Sequence, residues 1–256
     1  PFIESWEAMG PGNIGGRTRA VVISPDGPGS LENPGSGFML AGGVAGGIFK
    51  SDDGGVTWRP VSGPLDNLAI SALAIDPKMR NVGADQSYPY TIWAGTGESF
   101  DGRDGDQVAG QNGAIGLRGL GLYKSTDGGE SWEIASETNF PCVGEASFRF
   151  VNDIEISPRL NDDGEPRIYV ATDTGLWLHR NGGIDENPPA DGQANCDSDD
   201  WLLVKGNCNA LDVAVEPAPT SGGAGDDEEE VVFVACGSRE SDGLWVSNTS
   251  GEEWFL

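Results

Sequence analysis

The chain has 256 residues, with 40 Gly, 16 Pro, 8 Trp and 4 Cys, and sets 41 Asp and Glu against 15 Lys and Arg for a net charge of −26. That field repels phosphate, which excludes a nucleic-acid partner, and no apolar run reaches the roughly 18–20 residues of a membrane-spanning helix. Gly and Pro interrupt the chain too often for long helices and favour many short strands, at a length normal for one large all-β domain.

The chain opens at Pro1 without Met, so a trimmed or mature N-terminus is expected. Ser5-Trp6-Glu7-Ala8-Met9-Gly10 reads as an outer strand, followed by an entry loop that runs to Arg17. From there one four-strand pattern occurs four times. Its first run ends in an acid or Ser followed by Pro: Thr18–Pro25, Ile70–Pro77, Val151–Pro158 and Ala210–Pro217. A second apolar run follows at Phe38–Gly43, Thr91–Gly95, Arg167–Thr172 and Val231–Gly237. The third opens with Gly, Ile or Leu and an aromatic, as in Gly47-Ile48-Phe49, Gly121-Leu122-Tyr123, Gly175-Leu176-Trp177 and Gly243-Leu244-Trp245. The fourth opens at Trp58, Trp132, Trp201 and Trp254. Runs of four to eight residues rich in β-branched and aromatic side chains predict strands, and the near-continuous apolarity of the first two predicts burial on both faces. A repeated four-stranded antiparallel meander is a β-propeller blade, which buries its faces only against neighbouring blades.

The third and fourth strands are joined by Ser51-Asp52-Asp53-Gly54-Gly55-Val56-Thr57-Trp58 in the first copy and Ser125-Thr126-Asp127-Gly128-Gly129-Glu130-Ser131-Trp132 in the second. The Asp carboxylate suits backbone N–H groups within such a turn, Gly supplies a conformation costly to other residues, and Trp packs the hairpin onto the blade. The pattern built on Ser51, Asp53, Gly55 and Trp58, and on Ser125, Asp127, Gly129 and Trp132, resembles the Asp-box (BNR) repeat of sialidases, sortilin-type receptors and secreted bacterial propellers. The third copy substitutes His179, Asn181 and Gly183 before an insertion, and the fourth keeps Ser247, Gly251 and Trp254 but has Thr249 in the Asp place. Those two turns are expected to be weaker or differently bonded.

The fold class predicted is all-β, a propeller of four-stranded antiparallel blades with four present. Residues 1–17 form the leading strand and entry loop, followed by blades at 18–62, 63–136, 137–205 and 206–256. Because the fourth blade has its own fourth strand at Trp254, the chain is expected to be part of a seven- or eight-bladed ring, with a four-bladed ring as the alternative. The remaining blades would come from the same or another chain.

In propellers the functional face is the channel mouth. The candidates there are Arg17 and Arg19, the insertion residues Glu98, Asp101 and Arg103, then Arg149, Asn152, Asp153, Asp173, Asn209, Asp212 and Arg239. The alternative reading makes them ordinary polar loop residues. Asp101, Asp104 and Asp106 cluster oxygen ligands of the kind Ca²⁺ takes, without EF-hand spacing, so Ca²⁺ is a candidate ion and no cofactor is required. The resemblance makes the Asp-box turns structural. With one histidine and no CxxC, a zinc site is excluded. Cys142, Cys196, Cys208 and Cys236 suit an exported chain with two disulfides in any of three connectivities, among which Cys208 with Cys196 or with Cys142 is singled out, and buried free thiols are the alternative.

The resemblance implies an extracellular or cell-surface protein and leaves three functions. The preferred one is a binding or scaffolding propeller that recognises a protein or glycan at the channel mouth. The second is a glycoside hydrolase, either sialidase-like, with an Arg cluster and a Tyr–Glu pair, or built on two carboxylates. Arg17, Arg19, Arg149 and Arg239 are available for the Arg cluster, but no Tyr is placed for nucleophilic work. The third is a structural module of a larger extracellular assembly.

Overall fold

The repeated runs fold as antiparallel meanders. A computed structural model describes residues 17–29, 37–63, 65–80, 90–98, 116–135, 148–160, 166–179, 201–217, 230–237 and 242–256. The first sheet lays β1 (Thr18–Ile23), β2 (Met39–Gly43), β3 (Gly47–Ser51) and β4 (Arg59–Pro60) side by side in chain order. The second holds β5 (Ile70–Arg80), β6 (Tyr90–Thr96), β7 (Leu122–Ser125) and β8 (Glu133–Ile134), and the third β9 (Val151–Leu160), β10 (Pro166–Thr172), β11 (Gly175–His179) and β12 (Trp201–Lys205). In the fourth, β13 (Asn209–Pro217), β14 (Glu230–Gly237) and β15 (Gly243–Ser247) are followed by a single bridge from Val246 to Phe255 in the place of a fourth strand. These sheets are β-propeller blades, and their inner strands pack in succession, β1 on β5, β5 on β9 and β9 on β13.

Alternation along the inner strands explains the stacking, since successive side chains point to opposite faces. Three apolar cores result, one at each junction. The first joins Leu40 and Ile48 to Leu73 and Ile92; the second joins Trp93 and Leu122 to Ile154 and Val170; the third joins Tyr169 and Leu176 to Val213 and Val232. No core among the described residues joins the fourth blade to the first. Side-chain size is matched across the junctions. A Cβ on Gly42 or Gly95 would collide with Ile70 or Val151, the first residue of the next inner strand. Where the third blade has Ala171 instead, the incoming residue is the smaller Ala210.

The loops between third and fourth strands close locally. Gly55 and Gly129 donate their N–H groups to Ser51 and Ser125 Oγ, both at 2.8 Å, and adopt φ of 89° and 88°, a region that favours glycine. Asp53 accepts the Thr57 N–H and Asp127 the Ser131 N–H, each at 2.9 Å, while Trp58 and Trp132 donate their indole N–H to the carbonyls of Gly55 and Gly129. The fourth blade repeats this scaffold with one change. Thr249 Oγ1 accepts the Glu253 N–H at 2.8 Å where the other blades use a carboxylate, and Trp254 still donates to Gly251 O at 2.9 Å. In the third blade His179 is buried with its ring edge on Trp201, 4.7 Å between centroids; residues 180–200 lie outside the described residues.

Cys208 is bonded to Cys236, one of the pairings that the cysteine count leaves open, in place of the singled-out pairing with Cys196 or Cys142. Nearness in sequence misleads here. Cys208 enters β13 just before Asn209 and Ala210, whose partners across the ladder are Gly237 and Cys236, so register brings the two Cα atoms to 5.3 Å. Cys142 and Cys196 lie outside the described residues.

Candidate functional site

Each inner strand carries the same irregularity near its start. Pairing slips between Thr18 and Ala20, Ile70 and Ala72, and Ala210 and Asp212, and beside Asn152 in β9, so Arg19, Ser71, Asn152 and Leu211 are each an extra residue in the ladder. A bulge bends its strand and re-aims a side chain. The four bulges, one in each blade, border one cavity of about 360 Å³ lined by Arg19 to Val21, Ser71 to Leu73, Asn152, Asp153, Leu211 and Asp212.

Four of the sequence candidates, Arg19, Asn152, Asp153 and Asp212, therefore meet in one place. Asn152 Nδ2 donates to the Ala210 carbonyl at 2.6 Å and lies 3.4 Å from Asn209 Oδ1, which makes Asn209 a buried support. Asp153 accepts the Val213 N–H at 3.2 Å and has the Asp212 carboxyl beside it. Burial, then that neighbour, pushes the Asp153 carboxyl up to about 6. Glu155, two residues along the same face, is pushed up to about 7 by burial and by the charges of Asp153 and Asp212.

Glu98, expected in the insertion at the channel mouth, is buried, held by a backbone bridge to Leu117, and forms ion pairs with Arg17 and, at 3.6 Å, Arg19. Arg149 and Asp173 do not line the cavity. The Arg149 carbonyl accepts the Gly119 N–H at 2.7 Å, and Asp173 is buried beside β10 with its N–H on the Phe150 carbonyl at 3.2 Å. Asp101, Arg103, Asp104, Asp106 and Arg239 lie outside the described residues, and with them the Ca²⁺ cluster. Among the described residues no group of three His, Cys, Asp or Glu is placed to hold a metal ion.

Ser71, Leu211 and Glu155 were missed. The signal for the first two was present, because the four inner-strand runs align Arg19, Ser71, Asn152 and Leu211 in one column. A Tyr–Glu pair also occurs, Tyr169 donating to Glu230 Oε2 at 3.0 Å, but it is sealed in the third junction. Burial and the Glu230 charge raise the Tyr169 phenol, the opposite of what an activated nucleophile needs.

The carboxylates give stability a pH dependence. Asp153 and Glu155 have raised folded values, so the stability linked to their protonation is present at low pH and is lost as pH rises from about 4 through about 7. Glu130, lowered chiefly by its hydrogen bond to Arg59, and Asp53, lowered chiefly by Thr57, act oppositely: their contribution is lost as pH falls below the ordinary carboxylate range. Melting temperature is expected to peak on the acid side of neutrality, and Glu155→Gln is expected to flatten its decline toward about pH 8. An unchanged slope in that variant, followed by circular dichroism, would reject the assignment.

No family model matches the chain, and no curated protein does. Among solved structures it is similar to a GH74 enzyme from Niastella koreensis, at 19% identity over 89% of this chain and 28% of that one, with a TM-score of 0.43. It is also similar to a GH74 xyloglucanase from Xanthomonas campestris (19% identity, 94% and 29% covered, TM-score 0.46). An ancestral GH74 enzyme matches at 17% identity, with 90% and 30% covered and a TM-score of 0.43. The chain thus spans less than a third of each of these structures. Likeness at that level speaks to neither substrate nor activity.

Proposed function

We propose that this chain is part of a binding propeller, secreted or displayed at a cell surface, whose cavity receives a hydroxyl-rich ligand such as a glycan unit. The observation that carries this reading is the cavity wall. Residues from four blades line one space, among them a guanidinium, a hydroxyl, an amide and two carboxyl groups from Arg19, Ser71, Asn152, Asp153 and Asp212, and no aromatic surface contributes to it. Its size falls in the range of small-ligand sites, roughly 300–1,000 Å³. A mixture of donors and acceptors suits a hydroxyl-rich ligand, and a concave pocket suits a sugar unit better than a protein surface.

Binding is favoured over hydrolysis because the Asp153 and Asp212 carboxyl groups are neighbours in the cavity wall. Two carboxyl groups side by side leave no room for a glycosidic bond between them, whereas glycosidase pairs stand roughly 5–10 Å apart. The Tyr–Glu pair is shut away from the cavity. Calorimetric titration with a panel of neutral mono- and oligosaccharides is the test. At least one is expected to bind, and Asn152→Leu or Asp212→Ala is expected to weaken it by about tenfold or more through the lost or orphaned hydrogen bonds. Absence of binding across the panel, or indifference to both substitutions, would refute the reading. Release of reducing ends from the same panel would transfer the site to a hydrolase.

A further inference from the structure

The inner strands reach the cavity through short lead-in segments, and the fourth blade fastens its segment differently from the second and third. Upstream of the bulge the ladder offers little hold: Ile70 pairs with Thr96 in the second blade, Val151 with Thr172 in the third, and Asn209 and Ala210 with Gly237 and Cys236 in the fourth. Two residues before Ile70 and Val151 stand Leu68 and Arg149. Their carbonyls accept N–H groups from the preceding blade, from Gly47 at 3.0 Å and from Gly119 at 2.7 Å. Cys208 fills the same column, two residues before Ala210, and among the described residues it has the disulfide to Cys236 in the place of such a bond. The partner column differs as well. Thr96 and Thr172 donate their hydroxyls to the Gly121 and Gly175 carbonyls, at 2.7 and 2.9 Å, and so fasten the second strand to the third. Cys236 takes that column in the fourth blade, opposite Gly243, and its side chain is tied to the inner strand instead.

We propose that the Cys208–Cys236 disulfide is a positioning crosslink of the cavity, holding the bulged start of β13 against Asn152 and Asp153. The tie adjoins the cavity wall. Ala210, the ladder partner of Cys236, gives its carbonyl to Asn152 Nδ2 at 2.6 Å; the bulged Leu211 and Asp212 follow in the wall, and then Val213, whose N–H goes to Asp153. A bulge interrupts the ladder at the place where the strand has to be aimed. A covalent tie just upstream limits how far Leu211 and Asp212 can swing from the third blade. Cys208 and Cys236 are both buried, so the tie belongs to the wall and not to the outer surface. Its effect on a ligand rests on the reading of the cavity as a glycan site; its effect on the wall does not.

Cys208→Ala combined with Cys236→Thr tests the crosslink, because threonine supplies the hydroxyl used in the second and third blades without the tie to β13. Cys208→Ala with Cys236→Val, of the same shape but without the hydroxyl, is the second variant. Both are expected to keep the strand signal in circular dichroism, while amide exchange at Leu211, Asp212 and Val213 quickens by about tenfold or more relative to residues 168–171 of the third blade. Asp153, followed by carboxyl NMR, is expected to titrate below its value of about 6 in both variants, since β13 no longer buries it or keeps Asp212 beside it. Exchange and titration equal to those of the unaltered chain would overturn the proposal. Loss of the whole fold in both variants would overturn it too, by making the bond a determinant of folding. A neutral sugar that the unaltered chain binds is expected to bind both variants about tenfold or more weakly, and equal affinity would count against the crosslink alone. Should no sugar of the panel bind the unaltered chain, the ligand reading fails, and exchange and titration still decide the crosslink.

Discussion

Glu230→Ala is expected to lower stability by about 3–5 kcal/mol, the range seen when one partner of a buried charged network is removed. Glu230 is fully buried at the third junction. Its carboxylate accepts hydrogen bonds from Ser157 Oγ and, at 3.0 Å, from Tyr169, with the Arg167 guanidinium 3.5 Å away. The backbone is engaged too, since the Glu230 N–H donates to Ser250 Oγ at 2.8 Å and its carbonyl accepts the Ser250 N–H at 3.1 Å. Truncation leaves two buried hydroxyls and a guanidinium facing an empty volume. Glu230→Gln keeps the shape and an acceptor, so it is expected to cost about half as much. Chemical denaturation of the three proteins checks the order; equal midpoints for native and alanine forms would show that the network contributes nothing net.

The second large effect belongs to Lys50, whose ammonium group is wholly buried at the first junction. It donates to the Gly128 carbonyl at 2.9 Å and to Glu130 at 2.7 Å, and lies 4.5 Å from the centre of the Phe38 ring. One lysine thus ties the first blade to the turn from Ser125 to Trp132 in the second. Lys50→Ala is expected to cost about 3 kcal/mol, combining an unmet carbonyl, a lost ion pair and the cavity left by the stem. Glu130 keeps Arg59, at 2.6 Å, so no buried charge is orphaned. For that reason Lys50→Met, which refills the volume, is expected to recover roughly half of the loss. An alanine variant as stable as the native protein would contradict this account.

Much of the fold was legible before any coordinates, and for a local reason. Strand positions follow from alternation within a few residues, and the loops from Ser51 to Trp58 and from Ser125 to Trp132 close on hydrogen bonds spanning no more than four residues. The same locality explains why Thr249 can replace an aspartate: the scaffold of Ser247, Gly251 and Trp254 persists, and only one acceptor changes from carboxylate to hydroxyl. The candidate site was legible in part. Arg19, Asn152, Asp153 and Asp212 were singled out at the loops entering their blades, but nothing marked them as sharing a cavity with Ser71 and Leu211 until the bulges aligned them.

Repetition in the sequence therefore dictated how many blades form, in what order, and where their turns lie, because each of these depends on neighbours a few residues away. The tertiary structure decided which charges are buried, which cysteines pair and where the cavity opens. Lys50 and Glu130 are 80 residues apart, and Ser157 and Glu230 are 73 apart. A buried lysine or glutamate reads like a surface one until its blade meets the next, for desolvation is set by the partner face and not by the flanking chain.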